Sequence, residues 1–279
     1  MHLPANTFSA RHESRGEVTS GDTGGTTITA ASLAHTKGPY AALGSATSFA
    51  YEGFTVYFTV VSSNVPYLID IGIDDGAGNN FVIAENLAFA AAKQEHNHAL
   101  YVPVHVAAGA LIEARCQCQT ALSPTMEVLL VGHSANPGGF PGYSRCIALG
   151  ADTATSRGVN VDPGGTIHTK GAWAVLSSSC PADVAAIFGV VGFNGDVARS
   201  ASQIFTLVDI GIGAASSESV LLPNLYYGWG SVWDGPNDVF FQPVSAQIAA
   251  GTRIVARAQS SSNVDSDRDL DLCLYGLVA

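Results

Sequence analysis

Two aspartates and two arginines stand where an isolated charge is costly. Asp70 and Asp209 each interrupt an apolar run, Leu68-Ile69-Asp70-Ile71-Gly72-Ile73 and Leu207-Val208-Asp209-Ile210-Gly211-Ile212. Arg115 and Arg257 each follow an alanine and precede a glutamine two positions on. A charge inside an apolar strand needs a partner. Two readings are open. Asp70 pairs with Arg115 and Asp209 with Arg257, stitching neighbouring strands, or all four side chains face solvent. The paired reading is structural, because a buried pair does more for register than for stability.

Other residues invite chemistry less directly. His96 and His98 share one face of a strand and His105 follows, a spacing that can suit zinc. The matching stretch of the second half, from Trp233 to Val239, has no histidine, which argues against a metal there. Asp265, Asp267, Asp269 and Asp271 alternate as calcium ligands do, but no glycine stands sixth and no glutamate closes the set. Asp74-Asp75-Gly76 with Asn79 and Asn80 reads as a solvated turn. GxSxG, HExxH and the phosphate loop are missing. The expectation is therefore no catalytic residue, no metal and no cofactor. Tyr226, Tyr227, Trp229 and Trp233 lie among Gly228, Gly230, Gly235 and Pro236 and read as a Gly-rich loop. Aromatics so placed suit a subunit interface or a platform that stacks on sugar rings. The competing reading is a plug over the open end of a sandwich.

The elements that carry these residues occur twice. His35-Thr36-Lys37-Gly38-Pro39-Tyr40 matches His168-Thr169-Lys170-Gly171-Ala172-Trp173. The two Asp-Ile-Gly runs match, as do Asn86-Leu87 with Asn224-Leu225 and Pro103-Val104 with Pro243-Val244. Ala107-Ala108-Gly109 matches Ala249-Ala250-Gly251, Ile112, Ala114, Arg115 and Gln117 match Ile254, Ala256, Arg257 and Gln259, and Gly132 matches Gly276. The order is collinear and the gaps are small. A period this long means tandem domains, not a solenoid. Each copy reads as short strands rich in aromatic and β-branched residues, with turn clusters between them and no sustained helical stripe. The expected fold is all-β: two tandem antiparallel β-sandwiches, jelly-roll-like or immunoglobulin-like. The expected boundaries are an extended N-terminal arm over 1–23, sandwiches over 24–135 and 164–279, and a Pro/Gly-rich linker over 136–163. The arm has few apolar anchors and is expected to be ordered only by another subunit. Within the linker, Arg157-Gly158 echoes Arg15-Gly16.

Composition narrows function. The 279 residues carry a formal charge of −11, with 13% charged and 47% hydrophobic residues. A strongly acidic chain does not suit nucleic acid or an anionic membrane surface. That much apolar surface rules out disorder. No uninterrupted apolar run is long enough to span a membrane, and no secretory signal is expected at the start. Five cysteines at irregular spacing read as reduced, buried thiols of a protein made inside a cell.

The order HTKG-aromatic, then Asp-Ile-Gly with a short small-residue turn, then Ala-Ala-Gly and Ala-Arg-x-Gln resembles β-sandwich virion proteins of tailed bacteriophages. These include head-decoration, head-spike and tail-fibre components and their counterparts in phage-like gene transfer agents. The resemblance covers both copies, from about His35 to Gly132 and His168 to Gly276. It implies a non-enzymatic structural or adhesive role in a virion and transfers no catalytic residue. The implied partners are capsid, portal-vertex or tail proteins and further copies of the chain, made in the host cytoplasm. The alternative is a carbohydrate-binding adhesion module that recognises a host surface glycan.

Overall fold

The computed structural model describes residues 11–16, 25–60, 65–90, 98–135, 142–193, 204–229 and 235–279. The first half holds β1 (His12–Arg15), β2 (Thr26–Thr29), β3 (Ala41–Ala42), β4 (Gly53–Val60), β5 (Pro66–Asp74), β6 (Asn80–Ala90), β7 (His98–Val102), β8 (Leu111–Cys118) and β9 (Thr125–His133). The second holds β10 (Arg145–Ala148), β11 (Ala151–Asp152), β12 (Arg157–Val161), β13 (Ala174–Ser177), β14 (Val184–Phe193), β15 (Ile204–Ile212), β16 (Ser219–Trp229), β17 (Gly235–Ile248), β18 (Ile254–Ser260) and β19 (Leu270–Val278). A single turn of helix, α1 (Asp265–Arg268), leads into β19.

Pairing in the first half is nested. The opening strands β1 and β2 pair with the last strand β9, β3 pairs with β8, β4 with β7 and β5 with β6. Two further contacts, β4 with β9 and β5 with β8, gather these pairs into sheets. This is one long antiparallel hairpin rolled over on itself, the jelly-roll wind. The second half repeats it: β10 and β12 with β19, β13 with β18, β14 with β17, β15 with β16, then β14 with β19 and β15 with β18. The chain is therefore two tandem antiparallel β-sandwiches, both wound as jelly rolls. Alternation puts Ile112, Ala114 and Cys116 of β8 into the first core with Ile69 and Ile71 of β5 and Phe54, Val56 and Phe58 of β4.

Two expected boundaries change. The stretch expected as an arm held by another subunit contains β1, which pairs with β9 of its own sandwich from His12↔His133 to Arg15↔Leu130. Its strand is polar, so no apolar alternation announces it. Glu13 instead accepts hydrogen bonds from the Tyr51 hydroxyl at 2.8 Å and the Ser48 amide at 3.0 Å. The stretch expected as a linker contains β10, β11 and β12. β10 and β12 lie on β19 as β1 and β2 lie on β9, so the second sandwich begins by Arg145. The apparent echo of Arg15-Gly16 in Arg157-Gly158 misplaces the register, since β10 is the strand that answers β1.

The two sandwiches are joined through their sheets. β10 pairs antiparallel with β19 and, by a bridge at Cys146↔Ala84, parallel with β6, so one sheet runs from one half into the other. Strands β14 and β19 are apolar on both faces. Ile187, Val191, Leu270, Leu272 and Leu274 enter the second core, while Ala186, Phe188, Val190, Cys273, Tyr275 and Leu277 join the first. At this junction the Tyr275 hydroxyl donates to the Asn86 carbonyl at 3.1 Å and accepts from the Ala88 amide at 2.7 Å. A phenol fully removed from water needs such partners. All five cysteines are buried and free, and burial pushes the Cys116 thiol up to about 12.

Candidate functional site

The repeated motifs converge on one constellation, built twice. Asp70 of β5 faces Arg115 of β8 across the strands, with Arg115 Nε 2.9 Å from Asp70 Oδ2. Lys37, from the HTKG motif, places Nζ 2.9 Å from Asp70 Oδ1 and also donates to the Leu68 carbonyl at 3.1 Å. The Asn86 amide donates to the same Oδ1 at 2.9 Å. In the second sandwich Arg257 Nε lies 3.0 Å from Asp209 Oδ2 and Lys170 Nζ 2.8 Å from Oδ1. Lys170 also donates to the Leu207 carbonyl at 2.9 Å, and the Asn224 amide to Asp209 Oδ1 at 2.9 Å.

Backbone geometry explains the small residues of the motif. Asn86 and Asn224 adopt φ of 48° and 50°, which turns their amides inward at register shifts between β5–β6 and β15–β16. Asparagine tolerates this left-handed conformation better than most residues. The aromatic three residues after the lysine stacks under the arginine: the Arg115 guanidinium lies 4.5 Å from the Tyr40 ring centre and Arg257 4.4 Å from that of Trp173. The same ring lies over the motif glycine. A Cβ on Gly72 would come within 3.0 Å of Tyr40, and one on Gly211 within 2.8 Å of Trp173. The repeated letters thus describe one carboxylate with two cations, one amide and a ring that covers the arginine.

Electrostatics follow the geometry. Burial pushes the Lys37 ammonium below its usual range while the Asp70 carboxylate pulls the other way. Burial works to raise Asp209, but its bonds from Lys170, the Asn224 amide and Arg257 outweigh this and hold its carboxyl below the usual range. A carboxylate this fully engaged is a poor base or nucleophile. Its three donors fix the register of β5 against β8 and of β15 against β18.

The aromatic residues divide. Tyr226, Tyr227 and Trp229 belong to the strand β16, not to a loop as expected, because they pair with β15 from Tyr226↔Leu207 to Trp229↔Ile204. Tyr227 points inward and is buried against the Phe240 ring. Tyr226 points outward, 61% exposed, and stacks with Phe205 of β15, 50% exposed, at 6.2 Å between ring centres. Trp233 lies outside the described residues, as does the side chain of Trp229. The Tyr226–Phe205 pair flanks a shallow depression of about 230 Å³ lined also by His168, Thr206, Leu207, Gln259, Ser260 and Ser261. Sequence reasoning named Tyr226 but missed Phe205, His168 and Gln259 as its neighbours. The matching histidines and glutamines of the repeat are the signal that could have found two of them.

The weaker metal candidates resolve as follows. His96 lies outside the described residues, as does the side chain of His98, while His105 Nδ1 is 3.6 Å from Glu52 Oε1. The alternating aspartates do not act as one set. Asp271 is buried in β19 near Arg157, whereas the Asp265 and Asp269 carboxylates gather with distant Asp162. Arg268 already sits among them, with Nε 2.8 Å from Asp162 Oδ1 and Nη2 on Asp265. A guanidinium there supplies the positive charge that an ion would. Asp75 accepts hydrogen bonds from the Ala77 and Asn79 amides and caps its own turn.

No family model and no curated protein matches this chain. Among solved structures it is similar to the tandem CBM22-1-CBM22-2 domains of Paenibacillus barcinonensis Xyn10C, at 8% identity over 97% of this chain and 92% of that one, with a TM-score of 0.26. It is similar to the cowpea mosaic virus top component at 10% identity over 91% and 90%, with a TM-score of 0.24. It is also similar to the human MASP-1/3 CUB1-EGF-CUB2 segment at 11% identity over 90% and 98%, with a TM-score of 0.20. Likenesses this distant carry no argument about function.

Proposed function

We propose that this chain is a non-enzymatic structural component of a bacteriophage or phage-like particle. In that reading it decorates or projects from the capsid, or forms part of the tail, with capsid, portal-vertex or tail proteins as its partners. The observation that carries the reading is the use of the repeated charged residues. Asp70, Lys37 and Arg115, like Asp209, Lys170 and Arg257, are engaged with one another in holding strands. What recurs in both halves is a device for making a rigid sandwich, which suits a building block. The test is proteomics of particles purified from the producing cells, beside particles from a deletion strain. The expected result is this chain at a fixed stoichiometry to the capsid protein, restored by a plasmid copy. Its absence from the particle fraction would contradict the proposal.

A second reading, a glycan-binding module, is favoured by the exposed Tyr226–Phe205 pair beside His168, Gln259 and Ser261. Aromatic faces with nearby polar groups can stack on a sugar and hold its hydroxyls. A glycan array with the full chain and with Tyr226→Ala tests it. Retained glycan binding in the variant, or none in the parent chain, would set it aside.

A further inference from the structure

The first sandwich shows what its twin's bare face is built to receive. On the first sandwich the end of the outer side of β5, β6 and β8 around Leu68, Ala88 and Gln117 is covered by the second. Leu68 and Ala88 there are fully buried in the shared core, beside Phe188, Val190, Cys273 and Tyr275 on the outer side of β14 and β19. The turn after β11 closes the same surface. Ser156 Oγ lies 3.0 Å from His35 Nδ1, Gln117 Nε2 donates to Ser156 Oγ at 3.0 Å and to the Thr153 carbonyl at 2.8 Å, and Arg157 donates to Gln119 at 3.1 Å.

Among the described residues, the second sandwich repeats that surface without a cover. Register makes Leu207 the counterpart of Leu68, Tyr226 of Ala88, His168 of His35 and Gln259 of Gln117. These residues line the shallow depression, with Tyr226 and Phe205 bare. The strand edges match in the same way. β6 is joined by β10 of the next sandwich, while its counterpart β16 ends its sheet. β10 reaches back to β6, while its counterpart β1 ends the sheet β1-β9-β4-β7. Beside β1, the counterparts of Phe188, Val190, Cys273 and Tyr275 are Thr55, Tyr57, Leu129 and Val131. Tyr57 is 37% exposed and the other three are half-buried. One molecule thus ends in an uncovered receiving face and begins with an uncovered inserting face.

We propose that the occupant is a second copy of this chain: its first sandwich docks, by the outer face of β4 and β9 and the edge of β1, on the β15–β16–β18 face of the preceding copy. This is a head-to-tail contact, which extends into a ring or a filament and repeats the junction already made within each chain. The inserting face of the first sandwich is more polar than its twin, so the contact between chains is weaker than the one within a chain. The inference deepens the structural-component reading and rests on it for the biological setting alone. A chain that self-associates but is absent from particles would overturn that reading and leave this one standing.

The test is sedimentation velocity of the full chain over a wide concentration range, with two surface variants. Phe205→Glu/Tyr226→Glu spoils the receiving face and Tyr57→Glu the inserting face. Far-UV circular dichroism and melting check that both remain folded. The expected result is concentration-dependent assembly of the parent chain, with the dissociation constant raised roughly 30-fold or more in each variant alone. The two variants mixed should form one-to-one heterodimers and nothing larger, because each keeps the face the other lacks. A parent chain that stays monomeric at every concentration would overturn the proposal. So would assembly indifferent to both variants, or a Tyr57→Glu variant that still pairs with itself through its receiving face.

Discussion

The two sandwiches share a wind, a core pattern and an ion cage, and differ in what covers one face. Around Asp70, Asn86 and Gln117 are both buried. Around Asp209, Asn224 is exposed and Gln259 half-buried. The cages themselves are equally open, with Lys37 and Lys170 17% and 16% exposed and Arg115 and Arg257 31% each, and only the residues around them differ in cover. Duplicated cages in different settings separate two effects that are usually confounded. The cage is part of making a sandwich, because it persists where no other part of the described chain covers its flank. The covering residues belong to making a contact, because they change from Ala88 to Tyr226 where the face is bare.

The largest effect is expected from removing the carboxylate. Asp70→Ala leaves Lys37 and Arg115 facing each other without their anion and should lower stability by about 3–5 kcal/mol in urea unfolding. Asp209→Ala should cost about as much, because Lys170 and Arg257 are no more open to water than Lys37 and Arg115. A clearly smaller cost at Asp209 would show that the cover over the neighbouring residues of the first sandwich reaches its cage. Next come the glycines under the rings. Gly72→Ala and Gly211→Ala each press a methyl against Tyr40 or Trp173, and a cost of about 1–3 kcal/mol is expected. The larger of the two should fall on Gly211, where a Cβ would also come within 3.0 Å of the Ser219 carbonyl. Thermal melts of both variants give the ranking.

A smaller effect concerns the left-handed asparagines. Asn86→Ala and Asn224→Ala keep the amide that bonds the carboxylate but strain the backbone, at about 1 kcal/mol each. Asn→Gly at either position should cost less than Asn→Ala, and the reverse order would show that glycine's extra freedom in the unfolded chain outweighs the φ strain.

Acid should separate the halves by a different route. His12 and His133 meet Nδ1 to Nδ1 at 2.8 Å, and burial followed by its neighbour holds His133 below the usual histidine range. A depressed histidine contributes its full stability above its unfolded value, near 6.5, and loses it as pH falls from there through its lower folded value. The β1–β9 pairing should therefore loosen below about pH 6.5, with its amides exchanging faster while those of β10–β19 do not. Asp209 acts in a lower window. Its depressed carboxyl contributes stability above the unfolded carboxylate value, near 3.9, which is lost as pH falls further. His133→Phe should remove the first transition and leave the second.

Much of this was legible as letters and little as arrangement. The tandem repeat and the all-β class follow from collinear motifs and period-two alternation, while the facing of Asp70 with Arg115 was one of two readings those motifs left open. The lysine of HTKG was not legible as a cage member, because it reaches the carboxylate from a loop about thirty residues away and no periodicity links the two. β1 was missed because its stabilising contacts are polar, through Glu13 and Arg15. β10 was not legible because the proline and glycine letters before it read as a hinge in the sequence. Tyr226 was read as a loop residue because glycines around it resemble turn chemistry, yet Gly228 serves the strand: a Cβ there would collide with the Tyr226 ring.

The central claim is that the outer face of the second sandwich is a contact surface of the kind the first already uses. Hydrogen–deuterium exchange of β6 and β16, followed across protein concentration, tests it most directly. The prediction is that β6 is protected at every concentration, while β16 exchanges fast when dilute and slows toward β6 as concentration rises. A β16 that exchanges at one fast rate from dilute to concentrated solution would contradict the account.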